Sequence, residues 1–285
     1  MLDRAGFSFR RHSAQMVAML LVMPIALPAQ AADASAWDKD VYSAVRLITA
    51  SALRDGDSAT FRAGIEIRLD KGWKTYWRYP GDSGVPPRFI FTGSENVQAI
   101  AVKWPAPHRF FDDGGQSIGY KEHVILPLSI EPRDASRPAK LRLDVDYAVC
   151  EKLCVPAQGK AEIVVTGERT THEAALAAAE RRVPQRRALG EASALSIRAV
   201  RRDTPGRVAV DVAAPDGTDV DLFAEGPTAA WALPLPAPVA GAPAGLKRFT
   251  FALDGLPPGA TAQGAMLTLT AVAGAEAIEV AYRLD

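Results

Sequence analysis

The sequence predicts an all-β protein, with two antiparallel sandwiches in series and one short helix between them. Three observations carry this expectation. Apolar and polar residues alternate with a period near two over many short segments. Clusters of Gly, Pro, Asp and Ser separate those segments. The period changes once, at Thr171.

The first series of predicted strands covers residues 41–48, 60–69, 98–104, 123–130, 140–149 and 160–165. Turn clusters at 55–57, 80–87, 112–115 and 132–138 punctuate it. Residues 171–182, rich in Ala and Glu, read as a helix with Thr170 or Thr171 as its cap and Pro184 just past its end. A second series follows at 195–200, 207–212, 219–224, 246–253, 265–271 and 277–284, with residues 231–243, rich in Pro and Ala, as a long loop. The expected organisation is a first sandwich over 32–168, a helical linker over 169–190 and a smaller sandwich over 191–285.

Residues 1–31 have the form of an export signal. Arg4, Arg10 and Arg11 precede an apolar run over 16–27, and Ala29-Gln30-Ala31 offers a cleavage site. The run is shorter than the roughly 20 residues a membrane-spanning helix needs. The expected compartment is the periplasm, where disulfides persist. Composition is ordinary, with 33 basic and 33 acidic residues, 48% hydrophobic and 23% charged. This balance excludes a basic nucleic-acid stripe and an acidic tail. No Gly-x-Ser-x-Gly elbow, phosphate loop or HExxH metal motif occurs, which argues against familiar hydrolase chemistry.

Cys150 and Cys154 are the only two cysteines in the chain. Residues four apart on an extended strand are separated by about 13 Å at ~3.3 Å per residue. A disulfide needs its Cα atoms within about 7 Å. Residues 151–153 must therefore turn, and the strand-like flanks favour a hairpin over a helical turn. A loop this short gives a disulfide only about 2 kcal/mol in the chain-entropy model. Redox chemistry is thus the leading reading, beside a local structural staple and a Cu(I) site on two thiolates. The copper reading is poor in ligands, because Met266 is the only methionine beyond the signal and neither His108 nor His123 stands at a metal-ligand spacing from the cysteines. No cofactor and no metal are expected. Aromatics at Trp73, Tyr76, Trp77 and Tyr79 suit core packing as well as a site.

The stretch LRLDVDYAVCEKLCVP (141–156) resembles the cysteine hairpin of the N-terminal domain of the DsbD family, and the related domain of suppressor-of-copper-sensitivity proteins more closely still. GWKTYWR (72–78), WPAPH (104–108), DDGGQSIGY (112–120) and VILPL (124–128) match in order, so the resemblance spans roughly residues 40–168. It implies an immunoglobulin-like sandwich with catalytic cysteines Cys150 and Cys154. It also implies a cap loop near Asp112 and Asp113, with Phe111 as a lid, and supporting aromatics at Trp73, Tyr76 and Tyr120. The implied partners are a membrane-embedded thiol reductase and oxidised periplasmic clients. Two departures stand out: three residues separate the cysteines where DsbD has five, and Gly114-Gly115 occupies the place of the cap aromatic.

Overall fold

The computed structural model describes residues 1–2, 32–56, 58–81, 84–112, 115–204 and 206–285. The expected signal falls almost wholly outside the described residues. Among the described residues from 32 onward, the chain is built of strands and one helix, the strands pairing antiparallel except where one two-residue strand pairs parallel, in an immunoglobulin-like all-β fold. No helix among the described residues is long and apolar enough to cross a membrane.

Eleven strands build the first sandwich. They are β1 (Asp38–Asp40), β2 (Ser43–Asp55), β3 (Ser58–Leu69), β4 (Lys74–Gly81), β5 (Arg88–Ile90), β6 (Val97–Val102), β7 (His108–Asp112), β8 (Gly115–Lys121), β9 (His123–Pro132), β10 (Ala139–Cys150) and β11 (Cys154–Val165). One sheet runs β1-β2-β3-β9-β6, and the other runs β11-β10-β4-β8-β7 with β5 also on β10. Their inner faces share a core that includes Leu47, Phe61, Ile65, Trp77, Ile118, Leu126 and Leu141. The alternation read from sequence is this inward-outward pattern, because successive strand side chains point to opposite faces.

β1 closes the gap between the two sheets. It pairs with β2, while its carboxylates reach the neighbouring sheet: Gln158 N–H donates to Asp40 Oδ2 (2.8 Å) and Lys160 N–H to Asp38 Oδ2 (2.7 Å). These two backbone donors of edge strand β11 are thus satisfied by side chains, and Pro156 on the same strand carries no N–H at all.

The helix α1 (Glu173–Arg181) is shorter than expected, and neither threonine caps it through its side chain. His172 holds the cap position, while the Thr170 hydroxyl donates to Thr49 O. The helix lies on the outer face of the β2-β3-β9 region, where Leu176 packs among Ile48, Ala50 and Ile125. Arg62, buried on β3, pairs with Glu180 (2.6 Å) and Glu173 (3.3 Å) of the helix. The Glu180 hydrogen bond holds the guanidinium above its ordinary pKa, outweighing the burial that opposes its charge.

The second sandwich comprises β12 (Gln185–Arg186), β13 (Ser196–Thr204), β14 (Arg207–Ala213), β15 (Val220–Glu225), β16 (Ala237–Val239), β17 (Leu246–Ala252), β18 (Met266–Ala273) and β19 (Glu276–Arg283). Its sheets run β12-β19-β18-β15 and β13-β14-β17-β16. The segment expected as a bare loop, 231–243, instead contains β16 and buries Trp231 and Leu233. Proline and alanine content hid this, because an edge strand tolerates both. β12 joins the second sandwich from within the segment read as a linker.

Both sandwiches belong to one compact unit, Ala31–Asp285. Phe223 of β15, fully buried, leaves its own sandwich to join the core of the first, 5.7 Å from the Trp77 ring.

Candidate functional site

β10 and β11 form one long hairpin in continuous register from Ala139↔Val165 to Cys150↔Cys154. The turn is residues 151–153, so the cysteines are the last directly opposed pair, with Cα atoms 4.2 Å apart and their sulfurs bonded. The hairpin anticipated from the spacing is therefore the observed one. Direct opposition places both side chains on one face of the sheet.

That face belongs to the outer side of the β11-β10-β4-β8-β7 sheet. Cys150 is opposite Lys74 on its other flank, and Tyr76 follows two residues along β4 on the same face. The Tyr76 hydroxyl lies 2.7 Å from Cys150 Sγ and 3.0 Å from Cys154 Sγ. In the disulfide the sulfurs have no proton, so the tyrosine O–H donates. The two cysteines differ sharply in access. Cys150 is 2% exposed and packs with Tyr76 and Ala148, whereas Cys154 is exposed beside the exposed tip residue Leu153.

Two glycines make room for Tyr76. Gly119 of β8 sits opposite it, and a Cβ there would fall 1.9 Å from Thr75 O. Gly84 lies against the Tyr76 ring, where a Cβ would meet Cε1 at 2.5 Å. Gly119→Ala must therefore push β8 away from β4. It is expected to destabilise the fold by about 1–3 kcal/mol, as overpacking does, with thermal unfolding as the check.

The other residues singled out from sequence divide. Trp73 stacks on Tyr42 with ring centroids 3.8 Å apart and takes no part at the sulfurs. Tyr120 is buried on the core side, where its hydroxyl donates to Pro105 O (2.8 Å), and burial pushes its phenol well above the ordinary value. Phe111 is 76% exposed. Its neighbour Phe110 shares the face of the sulfurs instead, with its ring centroid 5.4 Å from the Lys74 ammonium. Asp112 pairs in backbone register with Gly115 at the end of the β7-β8 hairpin, and Asp113 lies outside the described residues.

Sequence reasoning missed Lys74, Phe110 and Gly84. Lys74 is 6% exposed although it sits on the polar beat of the GWKTYWR alternation, which normally signals solvent. The period showed that Lys74 and Tyr76 share a face, but not that this outer face is covered.

The fold and the site together define a class: an immunoglobulin-like β-sandwich protein with a tyrosine-held disulfide at the tip of a hairpin. Residues 44–166 match the family model described as thiol:disulfide interchange protein DsbD, N-terminal. The N-terminal periplasmic domain of ScsB from Proteus mirabilis is similar in structure, with a TM-score of 0.68 at 19% identity, covering 88% of this chain and 98% of that one. At that identity the likeness is one of fold, and its extent takes in both sandwiches. No curated protein matches the chain in sequence.

Proposed function

We propose that the protein is a thiol–disulfide interchange module. On this reading it acts in the periplasm, carrying electrons from a membrane-embedded thiol reductase to oxidised client proteins through Cys150 and Cys154. The supporting observation is the asymmetry of the pair: Cys154 is an exposed residue at a hairpin tip and Cys150 is buried, with a hydroxyl donor against both sulfurs.

Exchange requires a thiolate to approach along the S–S axis. A donor thiolate attacks Cys154 Sγ, the Cys150–Cys154 bond breaks, and Cys150 departs as a thiolate. The Tyr76 O–H is in place to stabilise that charge, since hydrogen bonds to ionised groups are the stronger kind. Lys74, opposite Cys150 on the same face, is buried with its ammonium over the Phe110 ring. The donor's second thiolate then resolves the mixed disulfide and leaves the donor oxidised. Two electrons and two protons now reside on the dithiol. The forward half runs the other way: the Cys154 thiolate attacks a client disulfide and Cys150 resolves it.

The test uses the oxidised protein with a reduced thioredoxin-fold dithiol donor, quenched by alkylation. The expected result is two alkylated cysteines per chain with stoichiometric donor oxidation. A reduction potential below about −300 mV, the range of structural disulfides, would sink the proposal.

A further inference from the structure

The second sandwich contains no cysteine, yet it holds the strand that carries Tyr76. We infer that the second sandwich is a positioning element for the disulfide, acting through Arg78 and the bulge of β4 to fix the Tyr76 hydroxyl on the sulfurs. This deepens the interchange reading and rests on it for its biological purpose, but not for its geometry.

The inference comes from the register of β4. Tyr76 faces Gly119 and Gly81 faces Ser117, so residues 76–81 of β4 span only residues 117–119 of β8. The surplus residues must leave the sheet as a bulge, and bulges re-aim the side chains beside them. The three residues that follow Tyr76 into this bulge are all held by the second sandwich. Trp77 packs on Phe223. Arg78 makes a two-pronged bond to Glu225, with Nε to Oε1 at 2.9 Å and Nη2 to Oε2 at 2.8 Å, and a further bond to Glu279 Oε2 at 2.6 Å. The Tyr79 hydroxyl donates to Leu233 O. Burial opposes the Arg78 charge, but the two carboxylates outweigh it and raise its pKa. On β7, at the far side of β8, Arg109 donates to Leu222 O (3.1 Å) and Pro236 O (3.2 Å) and pairs with Asp221 (3.2 Å).

The chain of contacts is therefore short. Glu225 and Glu279 hold Arg78, Arg78 is two residues from Tyr76, and Tyr76 touches both sulfurs. A hydroxyl that must meet two sulfurs at once tolerates little freedom, and its position depends on the residues that lock it. This gives the otherwise chemically silent second sandwich a task at the reacting bond.

A double-mutant cycle tests it, with the rate of disulfide reduction by dithiothreitol as readout. In that reaction the reagent's thiolate opens the Cys150–Cys154 bond, its second thiolate closes the ring, and two electrons pass to the protein. Glu225→Gln with Glu279→Gln alters only the second sandwich. It is expected to slow reduction by roughly tenfold, the scale of one hydrogen bond to a charged group. In a Tyr76→Phe background the same pair is expected to change the rate by less than about twofold, because coupled residues are not additive. Tyr79→Phe, a milder change that removes the neighbouring bond to Leu233 O, is expected to act in the same direction, and it serves if the glutamate pair unfolds the protein. An unchanged rate with Tyr76 present, or an equal slowing in the Tyr76→Phe background, overturns the inference. The small reagent needs no protein partner. Failure to take electrons from any protein donor would therefore remove the proposed carrier role and leave this result standing.

Discussion

Cys150→Ser is expected to accumulate mixed disulfides with protein partners, at least on the order of tenfold more than Cys154→Ser. In the Cys150→Ser protein the exposed sulfur at the hairpin tip remains, and the thiol that would release a bound partner is gone. In Cys154→Ser the surviving thiol is 2% exposed beneath Tyr76, where a protein disulfide has no approach. Non-reducing gels followed by mass spectrometry of the trapped species measure both. Equal trapping by the two variants, or the reverse order, would contradict the assignment of Cys154 as the attacked sulfur. The result also separates exchange from a structural staple, for which neither variant should capture anything.

Phe223→Ala is expected to be among the most destabilising single substitutions in the chain. The ring is fully buried in the core of a sandwich other than its own and faces Trp77. Truncating a buried Phe costs about 3–5 kcal/mol, part from lost burial and part from the cavity left behind. In a domain of this size that lowers the melting temperature by roughly 10 °C. The loss should appear in both sandwiches together in a thermal scan monitored by calorimetry. Two separated transitions, with the first sandwich melting as before, would show that the ring contributes little to joining them.

The strands that alternate cleanly were legible from the chain alone. β3 and β10 each set apolar residues at alternate positions facing the core, and a period of two is the direct signature of that. The cysteine hairpin was legible for a different reason, since the required sulfur-to-sulfur distance leaves no extended solution. β4 was not. Its side chains are buried at Lys74, Thr75, Tyr76 and Trp77 alike, so polar and apolar beats no longer distinguish inside from outside. β7 and β8 were obscured because the turn between them reads as an isolated loop unless their pairing is known. The contact of Arg78 with Glu225 and Glu279 joins positions far apart in the chain, and no local pattern encodes which distant carboxylates a strand arginine will meet. Tyr76 was picked out from sequence as a supporting aromatic; its hydroxyl contact with both sulfurs required the fold.

The carboxylates of Asp38 and Asp40 have a consequence for recognition. Many proteins bind extended peptides by letting them add to a sheet as one more strand, with main-chain bonds supplying affinity. Along β11 that route is obstructed: two outward N–H groups already donate to those carboxylates, and Pro156 offers none. A protein approaching Cys154 from this side finds no backbone ladder to extend. It must come end-on, reading the shape and side chains of a three-residue tip. Such a contact is small and quickly released, which suits the proposed exchange with more than one protein partner.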